Sequence, residues 1–162
     1  MPLPSDPYAR LRPPSLTPTD EICSCAGAPP LVLVSRLSPN PLACFECNGE
    51  VAPERIPADA ALIDSVAAWR NVYDALYRLW LDSREYEAFA CTQLASPASP
   101  VNQTGIALAS RLAVSQPVYY WWFSEGPAGS TCPRCGVALA NLGRHVVCSR
   151  CSIIVEPVEI AG

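Results

Sequence analysis

The sequence predicts an α+β fold in which two small four-cysteine ribbons flank a three-helix middle region that ends in an aromatic strand. Three observations carry this reading. Eight of the nine cysteines fall into two groups of four: Cys23, Cys25, Cys44 and Cys47, then Cys132, Cys135, Cys148 and Cys151. Between the groups, apolar residues recur at helical spacing. The segment 117–123 reads PVYYWWF, with five aromatics in succession.

Residues 1–20 hold six prolines, Pro2, Pro4, Pro7, Pro13, Pro14 and Pro18. Proline removes a backbone donor and fixes φ, so this segment reads as an extended arm. It is either a tail or a strap that lies across the body or a partner through Tyr8, Leu11 and Leu16. Residues 21–57 carry the first cysteine group, with Cys23-Ser-Cys25 and Cys44-Phe-Glu-Cys47 separated by eighteen residues. The β-rich run 31–35 (LVLVS) is fenced by Pro29-Pro30 and by Pro39 and Pro41, and 51–56 is placed to return as a strand. The outline is that of a ribbon, although Cys-x-Cys makes a tighter turn than Cys-x-x-Cys.

From Pro57 the composition shifts to Ala, Leu and aromatics, opening a helical region over 58–116. Leu62, Val66, Trp69, Tyr73, Leu76 and Trp80 follow one another at steps of four, three, four, three and four. That is one apolar face of a helix over about 58–82. Tyr86, Phe89, Ala90 and Leu94 continue on a second helix over about 83–94. Cys91 within it has no nearby partner thiol and reads as a buried or incidental side chain. A break at 96–100 offers Ser99 as N-cap and Pro100 as first helical residue. The third helix then runs to about Val114, with Ile106, Ala109 and Leu112 inward.

Residues 117–162 hold the aromatic strand and the second ribbon. Five adjacent aromatics serve either to pack the helical region onto the ribbon or, if exposed, to stack on bases. Cys132 and Cys135, like Cys148 and Cys151, are two residues apart, with twelve residues between the pairs. Two such knuckles brought together by a hairpin turning at Asn141-Leu142-Gly143 supply four thiolates around one point, the tetrahedral set that zinc prefers. Gly136, directly after the second sulfur, suits a left-handed turn. His145, the only histidine, reads as a solvated residue near the hairpin tip, because four thiols already fill the site. Two disulfides or a redox dithiol would be the other uses of these thiols, but no βαβ alternation accompanies the Cys-x-x-Cys pairs.

Whole-chain properties narrow the function. The N-terminus shows no apolar signal-peptide core and no apolar run approaches a membrane span, so the paired cysteines read as metal ligands in a reducing cytoplasm. The formal net charge is -4. Each zinc bound by four thiolates adds -2, so two centres bring the protein to about -8. All eleven basic residues are arginine. Such acidity disfavours general binding to phosphate backbones and favours a protein partner with a basic surface, met by acids that include Asp74 and Asp82. The alternative is a nucleic-acid binder using Arg134, Arg144 and Arg150 with Tyr119, Tyr120, Trp121 and Trp122. No Ser or Cys nucleophile with an orienting acid stands out, so the reading is non-catalytic, with two structural Zn2+ ions as cofactors.

The ordered set 44–56 (CFECNGEVAPERI), 79–83 (LWLDS), PVYYWWF, CPRCG and CSRC resembles a bacterial family described as zinc-ribbon-containing, to which nucleic-acid binding is ascribed from its ribbons. The similarity spans residues 23–155. It implies metal at Cys132, Cys135, Cys148 and Cys151 and at the earlier group, and brings no established activity. There is a weaker similarity to immunity proteins that carry paired Cys-x-x-Cys-Gly motifs, although here Asn48 separates Cys47 from Gly49.

Overall fold

A computed structural model describes residues 6–11, 17–35, 37–126 and 129–155. The longest element follows from its cap and its stripe. Asp59 accepts a hydrogen bond from the Leu62 N–H at 2.8 Å and opens α1, Ala60–Asp82. Leu62, Val66, Trp69 and Tyr73 are buried, while Leu76 and Trp80 pack half-buried against the same core. The helix ends because Arg84 takes a left-handed φ of 57°. For that reason α2, Glu87–Ala95, begins four residues later than the sequence suggests; it buries Ala90 and Leu94, with Cys91 and Ala95 half-buried against the core. Tyr86 and Phe89, expected on its inner face, are each 56% exposed. Pro100 starts α3, Pro100–Leu112, which buries Ile106, Ala109 and Leu112 as expected and also Val101, Asn102, Gly105 and Leu108.

Among the described residues six strands form one sheet: β1 Leu31–Leu33, β2 Leu42–Cys44, β3 Val118–Trp122, β4 Ala140–Leu142, β5 His145–Cys148 and β6 Ile153–Val155. Their order is β2-β1-β3-β6-β5-β4. The aromatic strand β3 is the central seam, parallel to β1 on one side and to β6 on the other. Antiparallel partners complete each wing, β2 on β1 and β5 with β4 beyond β6. Both cysteine segments therefore feed the same sheet.

Period-two alternation assigns the two faces. Val118, Tyr120 and Trp122 lie against the helices with Leu31, Leu33, Leu42, Ile153 and Val155. Tyr119 and Trp121 lie on the other face, against a smaller cluster of Val32, Val34, Ala43, Phe45, Val147 and Ile154. Where β3 meets the helices, contact is close. A Cβ on Gly105 would stand 2.3 Å from Tyr120 Cε2 and 2.8 Å from Trp69 Nε1. The buried Asn102 ties three elements together: it donates to Leu94 O and Ser96 O, each at 2.8 Å, and accepts from the Tyr120 hydroxyl at 2.8 Å.

Two local expectations are corrected and one open alternative is decided. Residues 51–56 do not return as a strand: Pro53 lacks an N–H and opens a 3-10 turn, Pro53–Arg55. Asn141 and Leu142 belong to β4, and the two-residue hairpin loop is Gly143-Arg144, with Gly143 at φ 59°. Leu11 of the proline-rich arm is fully buried, and Arg10 pairs with Asp64 of α1 at 3.4 Å. Leu16 lies outside the described residues.

Candidate metal centres

Each four-thiol set is assembled from a strand end and a loop. Cys44 is the last residue of β2 and pairs in register with Leu31, the first of β1; Cys148 is the last residue of β5 and pairs with Ile153, the first of β6. Each of these strands runs straight into a Cys-x-x-Cys turn, so a rigid ladder aims the first sulfur and the turn returns the second. The remaining sulfurs come from Cys23 and Cys25 on one wing and from Cys132 and Cys135 on the other. Both centres sit toward the side of the sheet from which β1, β3 and β6 start.

Left-handed residues shape the turns. Asn48 at φ 62°, Gly136 at φ 74° and Ser152 at φ 52° each directly follow the second cysteine of a Cys-x-x-Cys pair. The reversal lets backbone donors face back into the turn. Asn48 N–H donates to Cys44 O at 2.9 Å and Gly136 N–H to Cys132 O at 2.9 Å. Gly49 N–H donates to Cys47 Sγ, and Arg134 N–H to Cys132 Sγ, both at 3.4 Å. The sequence advertises this device at Gly136 only, since Asn and Ser carry no such signal by themselves.

Within each set the four sulfurs lie within 4.8 Å of one another. A tetrahedral zinc with bonds of about 2.3 Å sets its sulfurs about 3.8 Å apart, so both sets fit the ion. Cys135 and Cys148 are already 3.6 Å apart. Cys23, Cys44, Cys132 and Cys148 are buried, Cys25, Cys135 and Cys151 half-buried, and Cys47 exposed.

The electrostatics of the thiols match that role. Burial pushes Cys23 up, but the Cys25 N–H, the Cys44 and Cys47 thiols and the Arg55 guanidinium outweigh it and bring Cys23 down to about 7. The Val137 backbone, helped by the neighbouring thiols and against burial, brings Cys135 down to about 7. Their neighbours move the other way. Hydrogen bonds to Cys47 and Cys23, with burial, push Cys25 up to about 12. Burial, then its bonds to Cys135 and Cys132, push Cys151 up to about 12. Burial also raises Cys44 and Cys148. Four thiols this close cannot all ionise without a cation, because each thiolate penalises the next; a dication removes that penalty and takes all four as ligands.

Other residues singled out from sequence fall elsewhere. Arg134, Arg144 and Arg150 are exposed, while Tyr119 and Trp121 are half-buried on the face away from the helices. His145 is not solvated. It is 4% exposed, and its Nε2–H donates to the carbonyl of Phe45 at 2.9 Å, with the two rings 4.4 Å apart. Phe45 directly follows Cys44, so this contact joins the β2 wing to the β5 wing across the sheet. Cys91 is half-buried, and its thiol donates to Glu125 Oε2 at 2.7 Å.

Comparison with family models, curated proteins and solved structures finds no match for this chain. Of what the resemblance to zinc-ribbon proteins implies, the structure supports two four-cysteine clusters able to hold metal.

Two of the surface concavities bear on recognition. One, of about 340 Å³, is lined by Cys47, Asn48 and Gly49 and by Asp20, Glu21 and Glu50. The other, of about 560 Å³, opens where β1 and β3 end, opposite the metal side, between Tyr73, Tyr77, Trp80, Trp121 and Phe123. Sequence reasoning missed this groove because its rings come from both a helix and a sheet, and no local pattern links the two.

Proposed function

We propose that this chain is a non-catalytic protein-interaction module, of adaptor or immunity type, held in shape by two structural zinc ions in a reducing cytoplasm. The observation that carries this is the closure of both centres: four thiols converge on each site, and a fully thiolate-ligated zinc keeps no position for water or substrate. Metal binding then contributes to folding and leaves recognition to the surface.

The aromatic groove supports a protein partner. Phe123 stands edge-on to Trp80 at 5.0 Å and to Tyr77 at 6.5 Å, and Leu37 and Leu81 are exposed beside them. Among the described residues, Trp80 Nε1 is the buried side-chain polar atom without a hydrogen-bond partner. Buried indole N–H groups normally find one, and large aromatics dominate protein-binding sites. Asp74, which accepts from the Ser35 hydroxyl at the groove's edge, adds a negative charge suited to a basic partner. No helix of the described residues is long and apolar enough to cross a membrane.

A nucleic-acid reading is favoured by one observation, the partial exposure of Tyr119 and Trp121 on the same chain as the exposed Arg134, Arg144 and Arg150. Against it, residues 128–162 hold three arginines and two glutamates, a thin basic footprint. A titration of single-stranded oligonucleotide and of a basic polypeptide, each followed by Trp fluorescence over a salt series, separates the two. The module reading expects a response to the polypeptide that Asp74→Lys weakens, and none to the oligonucleotide. Steeply salt-dependent quenching by the oligonucleotide alone would reverse the assignment.

A further inference from the structure

The two centres are built differently in one respect. A Cys-x-x-Cys turn is long enough to fold back on itself, and three of the four cysteine pairs use it. Cys23-Ser-Cys25 is one residue shorter. Its shape is supported from a distance by Arg55, which stands in the 3-10 turn Pro53–Arg55. Arg55 Nη1 donates to Cys23 O at 3.0 Å, and Nη2 donates to Cys25 O at 2.6 Å and to Gly27 O at 3.1 Å. The loop Cys23–Gly27 thus curls around one guanidinium, closing at Gly27 with φ 71°. The same Nη1 also reaches Cys23 Sγ at 3.6 Å.

On the other wing, as for Cys44 and Cys47 on this one, the sulfurs take hydrogen bonds from the backbone. Arg134 N–H serves Cys132, the Val137 backbone serves Cys135 and the Cys151 backbone serves Cys148. Nothing in the cysteine spacing singles out Arg55, thirty residues downstream of Cys25.

We propose that Arg55 is the positioning residue of the N-terminal centre, which holds Cys23 and Cys25 in ligand geometry and offsets part of the charge of four thiolates around a dication. The inference rests on the reading of Cys23, Cys25, Cys44 and Cys47 as ligands. Its chemistry is that of an outer-shell partner. A planar fork of N–H donors satisfies three carbonyls at once, and a positive charge within hydrogen-bonding reach of a coordinated sulfur stabilises the -2 centre. Lysine would keep the charge and lose the fork. Glutamine would lose both the charge and most of the donors.

The test uses the zinc-loaded full-length chain. Wild type, Arg55→Lys and Arg55→Gln are equilibrated against a series of free-zinc buffers, bound ions are counted by native mass spectrometry, and the thiols freed are identified by alkylation. In Arg55→Gln, one of the two ions is expected to leave at 10- to 100-fold higher free zinc than in wild type, exposing Cys23, Cys25, Cys44 and Cys47. The other ion stays, and a far-ultraviolet dichroism spectrum like that of wild type shows that the variant remains folded. Arg55→Lys is expected between the two. With cobalt in place of zinc, the thiolate-to-cobalt absorption of the N-terminal centre should shift in both variants, a change that a merely structural role would not produce. Equal weakening of both ions, or of neither, overturns the role of Arg55. A wild-type chain that binds fewer than two ions overturns the metal reading itself, and the proposal with it.

Discussion

Asn102 shows what one buried amide can hold. Both of its N–H donors and its oxygen are used, on α2's last turn, the following loop and the central strand. Replacement by alanine strands the Leu94 carbonyl and the Tyr120 hydroxyl in the core, whereas Ser96 O keeps its bonds from Ser99. Asn102→Ala should therefore cost about 2–4 kcal/mol in urea unfolding, and a loss under about 1 kcal/mol would show that water enters and takes over. Cys91 makes a different point. Its hydrogen bond to Glu125, then burial, push it up to about 11, so at pH 8 it stays a thiol. The raised value means that the folded state keeps its proton longer than the unfolded chain. Any stability this contributes is complete below the ordinary thiol value near 9 and fades as pH rises through about 11. In the zinc-loaded protein Cys91 should alkylate slowly at pH 8, and Glu125→Gln should speed it by about tenfold, the larger thiolate fraction being partly offset by weaker nucleophilicity. An unchanged rate would remove Glu125 as the cause. The sequence marks Cys91 only as a thiol without a partner, because its acid lies thirty-four residues away.

At the scale of elements, what could be read from sequence was whatever is local and periodic. The α1 stripe, its end at Asp82, the Ser99-Pro100 start of α3 and the aromatic strand are all written in spacing, caps and proline. Arg84, by contrast, has no sequence feature that announces φ 57°, so the start of α2 and the outward turn of Tyr86 and Phe89 were not legible. The sheet order was not legible either, since parallel pairing of β1 and β6 with one central strand joins residues about ninety and thirty positions from one another. Gly105 tests how far local rules reach. On helix propensity alone, Gly105→Ala would stabilise α3 by about 1 kcal/mol. The added Cβ meets the rings of Tyr120 and Trp69, which are fixed by their own bonds to Asn102 and to Val101 O. We expect a net loss of about 1–3 kcal/mol with altered near-ultraviolet dichroism from the displaced tryptophan. A gain would mean that α3 can ride off β3 at little cost.

For the whole molecule, the candidate ligands were the most legible part, because Cys-x-x-Cys spacing is itself the chemistry. Their common frame was not. Both centres hang from strands that share β3, and the His145–Phe45 bond ties one wing to the other on the far face. A solvated histidine would carry no such tie. Two metal lobes on separate frames would melt separately, each following its own ion. Two wings of one sheet should melt together, since unzipping β1 from β3 frees the register of the central strand and bares the face on which α1 and α3 rest. The wild-type chain is expected to bind two zinc ions, and Cys44→Ser and Cys132→Ser to lose one each. In either variant the remaining ion should not rescue an independent transition. A single melt, displaced to lower temperature, should be seen whether it is followed by Trp fluorescence, which reports β3 and α1, or by release of the remaining zinc. His145→Ala should narrow the gap between wild type and the Cys44→Ser variant, because part of what that variant loses is passed through Phe45. If the two signals instead separate in Cys44→Ser, with zinc held at Cys132, Cys135, Cys148 and Cys151 after the helices have unfolded, the C-terminal wing is a folding unit in its own right and β3 is a seam between two of them.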